Sequence, residues 1–408
     1  MRAYERLLEY VKYPTVSDPN SDTCPSTPEQ LEFGRVLVRE MQELGITDAN
    51  MDENGFVFGT IPATKLDARG PVIGFLAHLD VSEDAPCHPV NARIVKNYDG
   101  GDIALGNGIV MSPSEFSSLE KYVGDDLIVS DGNTLLGCDN KCGIATIMAM
   151  AEYFHKNPHI EHGAIKIGFT PDEEIGTGIG RFDVERFGAD FAYTVDGGAF
   201  GEVEYETFNA SSAIITINGV SMHPGMSKNK MKNASLIALE FARMLPEAEK
   251  PEYTENYEGF YHLLKMKGVV EKAELEYILR DHDEEKLKIR EKFMHKTADF
   301  LNYKYGVGTV EVKIEESYRN MESVLRNHWH LIDNAYKAVE QVGGVPYSVP
   351  VRGGTDGSRL SYTGLPCPNL GAGCHNAHSR TEYASVQAMD KVAEALVALA
   401  VLYTDFEI

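Results

Sequence analysis

The sequence has no apolar run long enough to cross a lipid bilayer. A membrane-spanning helix needs about 20 consecutive apolar residues, and no hydrophobic stretch of these 408 residues approaches that length. The N-terminal segment MRAYERLLEYVKYPTVS carries charges throughout an amphipathic helix pattern. It has neither the apolar centre nor the small-residue cleavage site of a signal peptide. These features exclude a membrane protein and predict a cytoplasmic one.

Basic residues are scarce, since 38 lysines and arginines stand against 62 acidic residues. The resulting net charge of -24 at pH 7 repels nucleic-acid phosphates and anionic lipid surfaces. We therefore expect neither a nucleic acid nor a membrane as partner, although a local basic pocket stays compatible with this composition.

Cysteine is also sparse, with six residues scattered along the chain. Such spacing disfavours a disulfide framework and fits a reducing compartment. Cys138 and Cys142 flank Asp139 closely enough for a thiolate metal site, but no second cysteine pair lies nearby. Packing of these two thiols beside a loop is the interpretation that we favour.

Apolar runs that end in polar residues dominate the first half of the chain: PVIGFLAHLD, AIKIGFTPDEE and DFAYTVDGG. The segment GIATIMAMAEYFHKN lies between the first two and is typical of a helix packed on a sheet. A further helix is predicted from Thr27 to Gly45, with Thr27 and Gln30 forming a capping box. The pattern predicts an α/β fold with a mostly parallel sheet flanked by helices and with functional residues at strand ends.

The pattern changes after about Thr207. SSAIITING, ELEYILRDHD and TVEVKIEESY alternate like half-exposed strands, and DEEKLKIREKFMHKTADFLNYKY is a charged helix pattern. We predict a smaller two-layer α+β domain, residues 207–316, inserted into a larger domain formed by residues 1–206 and 317–408.

Residues of metal-ligand type follow several predicted strands, and one more starts a helix: His78, Asp80, Asp139, Glu173, Glu174, Asp196 and His378. Taken singly, each has an ordinary explanation, such as helix capping by Asp139 or a solvated Glu-Glu turn. Together they are harder to dismiss, because strand ends on one edge of a parallel sheet converge in space.

The donor types and spacing indicate a two-metal site. His78 and Asp80 are two residues apart on an extended chain, so Asp80 can accept the second ring N–H of a metal-bound His78. Two histidines and three carboxylates suit Zn²⁺, or Co²⁺ or Mn²⁺ in the same site. Because two histidines are few for two metals, a carboxylate must bridge them, and Asp139 is the best candidate.

Eight segments carry a resemblance to a known family: HLDVSEDAP, LLGCDNKCGIA, GFTPDEEIGTG, YTVDGG, SMHPGMSKNKMKNA, ILRDHD, VRGGTDGSRL and NAHSRTEY. The chain resembles the peptidase T tripeptidases of the M20 group of two-metal zinc aminopeptidases. These segments run from residue 78 to beyond residue 380 in family order, so the resemblance covers essentially the whole chain.

The resemblance implies one zinc held by His78 and Asp196 and another held by Glu174 and His378. Asp139 and a water would bridge the two metals, and Asp80 would support His78. The metals would polarise the scissile carbonyl and activate the water, while Glu173 acts as general base. Asn140 and Cys142 depart from the family, which commonly has aspartate and alanine there.

Three further candidate residues are His223 and Arg280, in the predicted insert, and Arg352, in the larger domain. By itself, His223 in SMHPG is an ordinary turn histidine, but the resemblance implies that it reaches a partner's active site and stabilises the oxyanion. The family therefore implies a homodimer formed through the inserted domain. Arg280 and Arg352 are candidates for binding a peptide carboxylate, although ordinary salt bridges remain an open alternative.

The leading hypothesis is a cytoplasmic, zinc-dependent aminopeptidase that removes the N-terminal residue from tripeptides. The enzyme alternative is another M20-type amidohydrolase, namely a dipeptidase, a carboxypeptidase or an N-acyl amino acid deacylase. The non-enzyme alternative is a metal-stabilised binding protein. The sequence leaves open the side-chain preference, the metal loaded in the cell, the effect of Asn140 and Cys142, the arrangement of the domains and the role of Asp172.

Overall fold

The computed structural model describes residues 1–65 and 69–407. The chain divides into two compact units. The first comprises Met1–Tyr205, Ser323–Val349 and Thr355–Ile408, and the second comprises Glu206–Glu322 and Pro350–Gly354. The described residues include no helix with both the length and the apolar character needed to cross a membrane.

The described residues form ten α-helices: α1 (Ala3–Tyr10), α2 (Pro28–Glu43), α3 (Cys138–Lys156), α4 (Val184–Phe187), α5 (Ala234–Met244), α6 (Glu284–Tyr305), α7 (Glu322–Leu325), α8 (His330–Gln341), α9 (Asp356–Tyr362) and α10 (Val386–Leu402). The strands of the same residues are β1 (Asn50–Met51), β2 (Val57–Ile61), β3 (Ile73–His78), β4 (Arg93–Val95), β5 (Ile103–Gly106), β6 (Ile109–Met111), β7 (Leu127–Val129), β8 (Ile165–Thr170), β9 (Phe191–Gly197), β10 (Val203–Glu204), β11 (Asn209–Asn218), β12 (Phe260–Gly268), β13 (Lys272–Asp281), β14 (Val310–Tyr318), β15 (Asn369–Gly371), β16 (Cys374–His375) and β17 (Tyr383–Ser385).

A seven-stranded sheet forms the core of the first unit, with the order β1-β2-β8-β3-β9-β15-β10. Its four central strands are parallel, while β2, β1 and β10 pair antiparallel at the two edges. All six residues of β3 are buried, as expected for a central strand covered on both faces. The predicted α/β class is confirmed, with antiparallel edges that the sequence did not indicate.

The N-terminal end of α2 differs from the prediction. The helix begins at Pro28, but the side chain of Thr27 makes no capping hydrogen bond to the helix backbone. Thr27 Oγ1 donates to the carbonyl of Val16, and Gln30 Nε2 donates to Asp172 Oδ1 at 2.7 Å. The capping box is therefore wrong, because both side chains have partners elsewhere in the fold.

The segment between Pro89 and Gly137 adds smaller sheets to the first unit. Strands β5 and β6 form a two-stranded antiparallel pair. Strands β4 and β7 join β17 and β16 in a four-stranded sheet ordered β16-β17-β7-β4. This second sheet ties the segment to the C-terminal part of the chain, where the His378 loop begins.

The second unit has two layers. Its antiparallel sheet has the order β12-β13-β11-β14, and α5 and α6 pack on it. Alternate residues of β13, among them Leu275, Tyr277 and Leu279, are buried in the core beneath the two helices. Strand β12 was not among the strands predicted from the sequence.

Pro350–Gly354 packs with the second unit, although the sequence analysis assigned it to the larger domain. Val351 N donates to the carbonyl of Glu206 at 3.0 Å, and Phe208 N donates to that of Gly353 at 3.2 Å. These main-chain bonds pair the segment with the start of the second unit. The sequence pattern did not indicate this pairing, because the two segments lie far apart along the chain.

Candidate metal centre

Three adjacent parallel strands deliver the first candidate ligands. His78 is the last residue of β3 and lies opposite Thr170, the last residue of β8. On the other side of β3, β9 is aligned so that Leu76 pairs with Thr194, two residues before Asp196. The sheet thus brings His78, the Glu173–Glu174 turn and Asp196 to the carboxyl ends of neighbouring strands.

Asp139 is supplied by an irregular start of α3. Its backbone is non-helical, with φ -86° and ψ 105°, and the next residue Asn140 is also non-helical. The Asp139–Asn140 peptide bond is cis. The Asp139 carboxylate points between two histidines.

The distances place Asp139 between His78 and His378. Its Oδ1 lies 3.0 Å from His78 Nε2, and its Oδ2 lies 3.5 Å from His378 Nε2. His78 Nε2 also faces Asp196 Oδ1 at 3.3 Å, and His378 Nε2 faces Glu174 Oε2 at 2.8 Å. The five candidate ligands thus form one cluster, with one oxygen of Asp139 turned towards each histidine.

Two groups within this cluster have ligand atoms close enough together to hold a metal ion. One comprises His78, Glu173 and Asp196, and the other comprises His78, Asp139 and Glu174, each with its atoms within 4.8 Å of one another. Glu173, predicted as a general base, therefore lies close enough to the His78–Asp196 pair to act as a ligand.

The cluster fits divalent cations. Glu174 Oε1 is buried and has no hydrogen-bond partner among the described residues, so it is an acceptor that needs a cation or a donor. Imidazole and carboxylate donors in this combination suit Zn²⁺, Co²⁺ or Mn²⁺. A metal would also neutralise several acidic groups that the protein otherwise crowds together.

The pKa values of the clustered acidic groups reflect that crowding. Burial and the charge of Asp139 raise the pKa of Glu174 to about 7, although the hydrogen bond to His378 opposes the rise. Burial also raises the pKa of Asp196 to about 7, against the opposing effect of His78. Burial raises the pKa of Glu173 well above its usual range. Bound cations would favour the charged carboxylates and reverse these shifts.

Asp80 supports the site in a way that the spacing alone did not show. His78 Nδ1 lies 3.0 Å from the carbonyl oxygen of Asp80 and 3.4 Å from its carboxylate Oδ1. The carboxylate accepts hydrogen bonds from the backbone N–H groups of Glu173, at 3.0 Å, and Glu174, at 3.1 Å. Asp80 therefore orients the His78 ring mainly through its carbonyl and holds the glutamate turn through its side chain.

Asp172, which had no assigned role, anchors the same turn from the other side. It is fully buried and has a positive φ of 57°. Its carboxylate accepts hydrogen bonds from Ser26 N at 2.7 Å, Ser26 Oγ at 2.6 Å and Gln30 Nε2 at 2.7 Å. The three consecutive acidic residues of this turn thus face different surroundings.

Helix α9, from the segment VRGGTDGSRL, fixes both ends of the glutamate turn. Asp356 Oδ2 accepts a hydrogen bond from Thr170 Oγ1 at 2.6 Å, and Arg359 Nη1 donates to the carbonyl of Gly176. Asp356 is buried, and burial raises its pKa to about 6. The presence of this segment among the family-like motifs was the only sequence signal for these contacts.

Glu382 joins two ligand-bearing loops. Its buried carboxylate accepts hydrogen bonds from Gly137 N at 2.6 Å and from His378 N at 3.1 Å. His378 itself has a positive φ of 63°, a conformation that non-glycine residues seldom adopt without support. Glu382 therefore holds the backbone on which His378 is presented.

The remaining predicted site residues belong to the second unit. His223 is exposed, and its Nδ1 accepts a hydrogen bond from Gly225 N at 3.2 Å. The guanidinium of Arg280 lies over the ring of Tyr318, and its Nε is buried with no hydrogen-bond partner in the described part of the chain.

Arg352 is tied to the main chain of its own unit. Its Nη1 donates to the carbonyls of Asn256, at 2.9 Å, and Glu258, at 2.8 Å. Its Nη2 donates to the carbonyl and hydroxyl oxygens of Thr254. Both terminal nitrogens are thus engaged, which makes Arg280 the better candidate for binding a substrate carboxylate.

The two residues that depart from the family pattern are buried beside Asp139. Asn140 Oδ1 accepts a hydrogen bond from Gly143 N at 3.2 Å, and Cys142 Sγ lies 3.9 Å from Met389 Sδ. Neither Cys138 nor Cys142 belongs to a candidate metal group among residues 1–65 and 69–407. Both thiols are buried.

Known proteins resemble the chain along its length. Residues 124–401 match the family model "Peptidase family M20/M25/M40". Peptidase T of Halothermothrix orenii is 50% identical over 404 residues, covering 98% of this chain and 99% of that protein. Peptidase T of Caldanaerobacter subterraneus subsp. tengcongensis is 49% identical over 404 residues, covering 98% of each. A tripeptidase from Staphylococcus aureus has a similar fold, with a TM-score of 0.76, 21% identity and coverage of 99% of this chain and 98% of that one.

Proposed function

Because the chain belongs to peptidase family M20/M25/M40, we propose that it is a zinc-dependent aminopeptidase that removes the N-terminal residue from tripeptides. The observation that carries the proposal is identity of about half the residues with peptidase T proteins over nearly the whole length of both chains. The resemblance of this chain's motifs to the peptidase T tripeptidases supplies the substrate class.

The proposed metal centre uses the cluster at the carboxyl ends of β3, β8 and β9. His78 and Asp196 would hold one Zn²⁺, Glu174 and His378 would hold the other, and Asp139 would bridge them. The divided orientation of the Asp139 oxygens towards the two histidines supports this assignment. When bound, two such ions supply Lewis-acid polarisation of the scissile carbonyl and lower the pKa of water.

Glu173 is the proposed general base. Its carboxyl group lies within 4.8 Å of ligand atoms of His78 and Asp196, where it can take a proton from water and return it to the leaving amine. Asp80 fixes the Glu173 backbone at 3.0 Å, so the side chain starts from a defined position. Placement of this kind is what general acid–base catalysis requires.

Arg280 is the proposed carboxylate-binding residue, and His223 the proposed oxyanion-stabilising residue supplied by a partner subunit. A guanidinium fork matches the C-terminal carboxylate of a short peptide. The hydrogen bond that His223 Nδ1 accepts leaves the ring hydrogen on Nε2, where it can be donated to an oxyanion.

The partner would be a second copy of the chain, joined through the second unit. Strand β12 is an edge strand and pairs with β13 on one side. Exposed apolar side chains cluster on β12, the turn after it and α5: Leu236, Leu239, Leu263, Leu264, Met266 and Val269. An uncovered apolar surface beside an open strand edge favours association.

The proposed location is the cytoplasm, and the six free cysteines support it.

A substrate panel tests the proposal on the zinc-loaded full-length protein. The panel contains dipeptides, tripeptides, tetrapeptides and N-acyl amino acids. We expect preferential release of the N-terminal residue from tripeptides. Efficient hydrolysis of acyl amino acids with inert tripeptides would instead establish the amidohydrolase alternative, and no hydrolysis of any compound would favour a binding protein.

A further inference from the structure

The two candidate histidine ligands have different surroundings. The His78 side chain is 2% exposed and its neighbour Asp80 is 0% exposed. The His378 side chain is 44% exposed and lies beside Asp84, which is 59% exposed. His78 is therefore held by close packing, whereas the ring of His378 needs another restraint to keep its orientation.

Asp84 provides a contact of that kind. Its Oδ2 lies 2.9 Å from His378 Nδ1, on the opposite side of the ring from the metal cluster. The other ring nitrogen, Nε2, faces Glu174 Oε2 at 2.8 Å. The two ring nitrogens of His378 thus contact different carboxylates. Nδ1 contacts Asp84, outside the candidate metal position, and Nε2 contacts Glu174, inside it.

The Asp84 carboxylate is itself oriented. Ser82 Oγ donates to Asp84 Oδ2 at 2.6 Å and accepts a hydrogen bond from Asp84 N at 3.2 Å. Ser82 is buried, so this local turn fixes the oxygen that meets the imidazole. Asp84 lies in the same HLDVSEDAP segment as His78, but it serves the other histidine.

A hydrogen on Nδ1 that is donated to Asp84 leaves the lone pair of Nε2 directed into the cluster. This tautomer is the one that binds a metal through Nε2, and the outer carboxylate increases the basicity of the ring. Without Asp84, the half-exposed ring can rotate or carry its hydrogen on Nε2, and either change opposes metal binding.

We propose that Asp84 is a positioning residue that fixes the tautomer and orientation of His378, and that it thereby sets the affinity of the metal position shared by His378 and Glu174. This inference rests on the proposed two-metal site. The backbone of His378 is held separately by Glu382, at 3.1 Å, so removal of the Asp84 side chain frees the ring without releasing the loop.

The test compares Asp84→Ala and Asp84→Asn with charge-matched variants at the neighbouring exposed residue, Glu83→Ala and Glu83→Gln. Zn²⁺ affinities of the full-length proteins are measured by competition with a chromophoric chelator, and thermal unfolding checks the fold. We expect one of the two zinc affinities, that of the position shared by His378 and Glu174, to fall about 10- to 100-fold in Asp84→Ala. Asp84→Asn should lose less, because its amide oxygen can still accept the Nδ1 hydrogen. The other zinc affinity, and both affinities of the Glu83 variants, should stay within about twofold of wild type.

Two results would overturn the inference while leaving the proposed function intact. In the first, both Asp84 variants keep both wild-type zinc affinities. In the second, the Glu83 variants lose the same zinc affinity equally, so that general surface charge explains the loss. A wild-type protein that binds fewer than two zinc ions would instead refute the two-metal site itself.

Discussion

At the scale of single residues, the neighbours Glu173 and Glu174 share a turn but face different groups. Glu174 Oε2 contacts His378 at 2.8 Å, and its other oxygen is buried without a partner among the described residues. Glu173 lies near His78 and Asp196. Both backbone N–H groups bind the Asp80 carboxylate, so one buried aspartate sets the position of both side chains.

Replacement of Glu173 by Gln tests whether Glu173 acts as a general base or as a metal ligand. If Glu173 transfers the proton, kcat should fall by at least about 10²-fold while the protein still binds two zinc ions. Zinc content and tripeptide hydrolysis are measured on the same preparation. Loss of one zinc together with activity would make Glu173 a ligand, and Glu174→Gln provides the control expected to weaken zinc binding.

Replacement of Arg280 by Ala tests recognition of the substrate carboxylate. The KM of a tripeptide should rise, while the KM of the corresponding C-terminal amide should change little, because the amide lacks the negative charge. An equal change for the two substrates contradicts the assignment. Arg352→Ala is a useful comparison, since the loss of its four hydrogen bonds to Thr254, Asn256 and Glu258 should lower stability instead.

At the scale of elements, the turn from Thr170 to Gly178 is held by groups from three other parts of the first unit. Asp80 follows β3, Ser26 and Gln30 lie at the start of α2, and Asp356 and Arg359 belong to α9. A surface turn would have fewer fixed partners. These contacts hold the catalytic candidates rigidly. Catalysis requires that its reacting groups be held in a precise geometry.

Asp172→Ala should therefore affect both stability and turnover. It removes the acceptor of Ser26 N and Ser26 Oγ, whereas Gln30 Nε2 keeps Thr27 Oγ1 as an acceptor at 3.1 Å. Each buried orphan costs about 1–3 kcal/mol. We expect the free energy of unfolding to fall by at least about 2 kcal/mol and kcat to fall with it. Denaturant unfolding and peptide hydrolysis measure the two effects.

The exposed residue Glu53 provides the control for that experiment. Glu53→Ala removes a carboxylate from the surface and should change the free energy of unfolding by no more than about 0.5 kcal/mol. If Asp172→Ala behaved like Glu53→Ala, the anchoring role of Asp172 would be wrong.

At the scale of the whole molecule, the two units have different architectures and separate cores. The first contains the parallel strands and the candidate metal centre, and the second is a two-layer unit with an open strand edge. The net charge of -24 opposes unspecific association of two copies. The proposed homodimer therefore needs a specific apolar contact, and we propose the surface around β12 and α5 for it.

Leu264→Asp should break that dimer. Leu264 is 54% exposed on the edge strand β12, so a carboxylate there would place a desolvated charge in the contact. Light scattering should give twice the 45.1 kDa chain mass for wild type and the single-chain mass for the variant. Val307→Asp, at a site 99% exposed after α6, should remain dimeric. A wild-type protein that is monomeric would contradict the proposed dimer.

The sequence by itself determined several of the elements and the identity of the candidate ligands. Apolar runs that end in His, Asp or Glu are local patterns, so they locate β3, β8 and β9 and the residues at their ends. The sequence also indicated the second unit, because strand alternation and charged helix patterns depend on residues a few positions apart.

Only the tertiary structure decided how those ligands are supported. Asp172 reaches Ser26 across 146 positions, Glu382 reaches Gly137 across 245, and Asp84 reaches His378 across 294. Gln30, predicted as part of a local capping box, donates a hydrogen bond to the distant residue Asp172. Local spacing encodes which face or end a side chain occupies, whereas hydrogen bonds between distant segments depend on the packing of the whole unit.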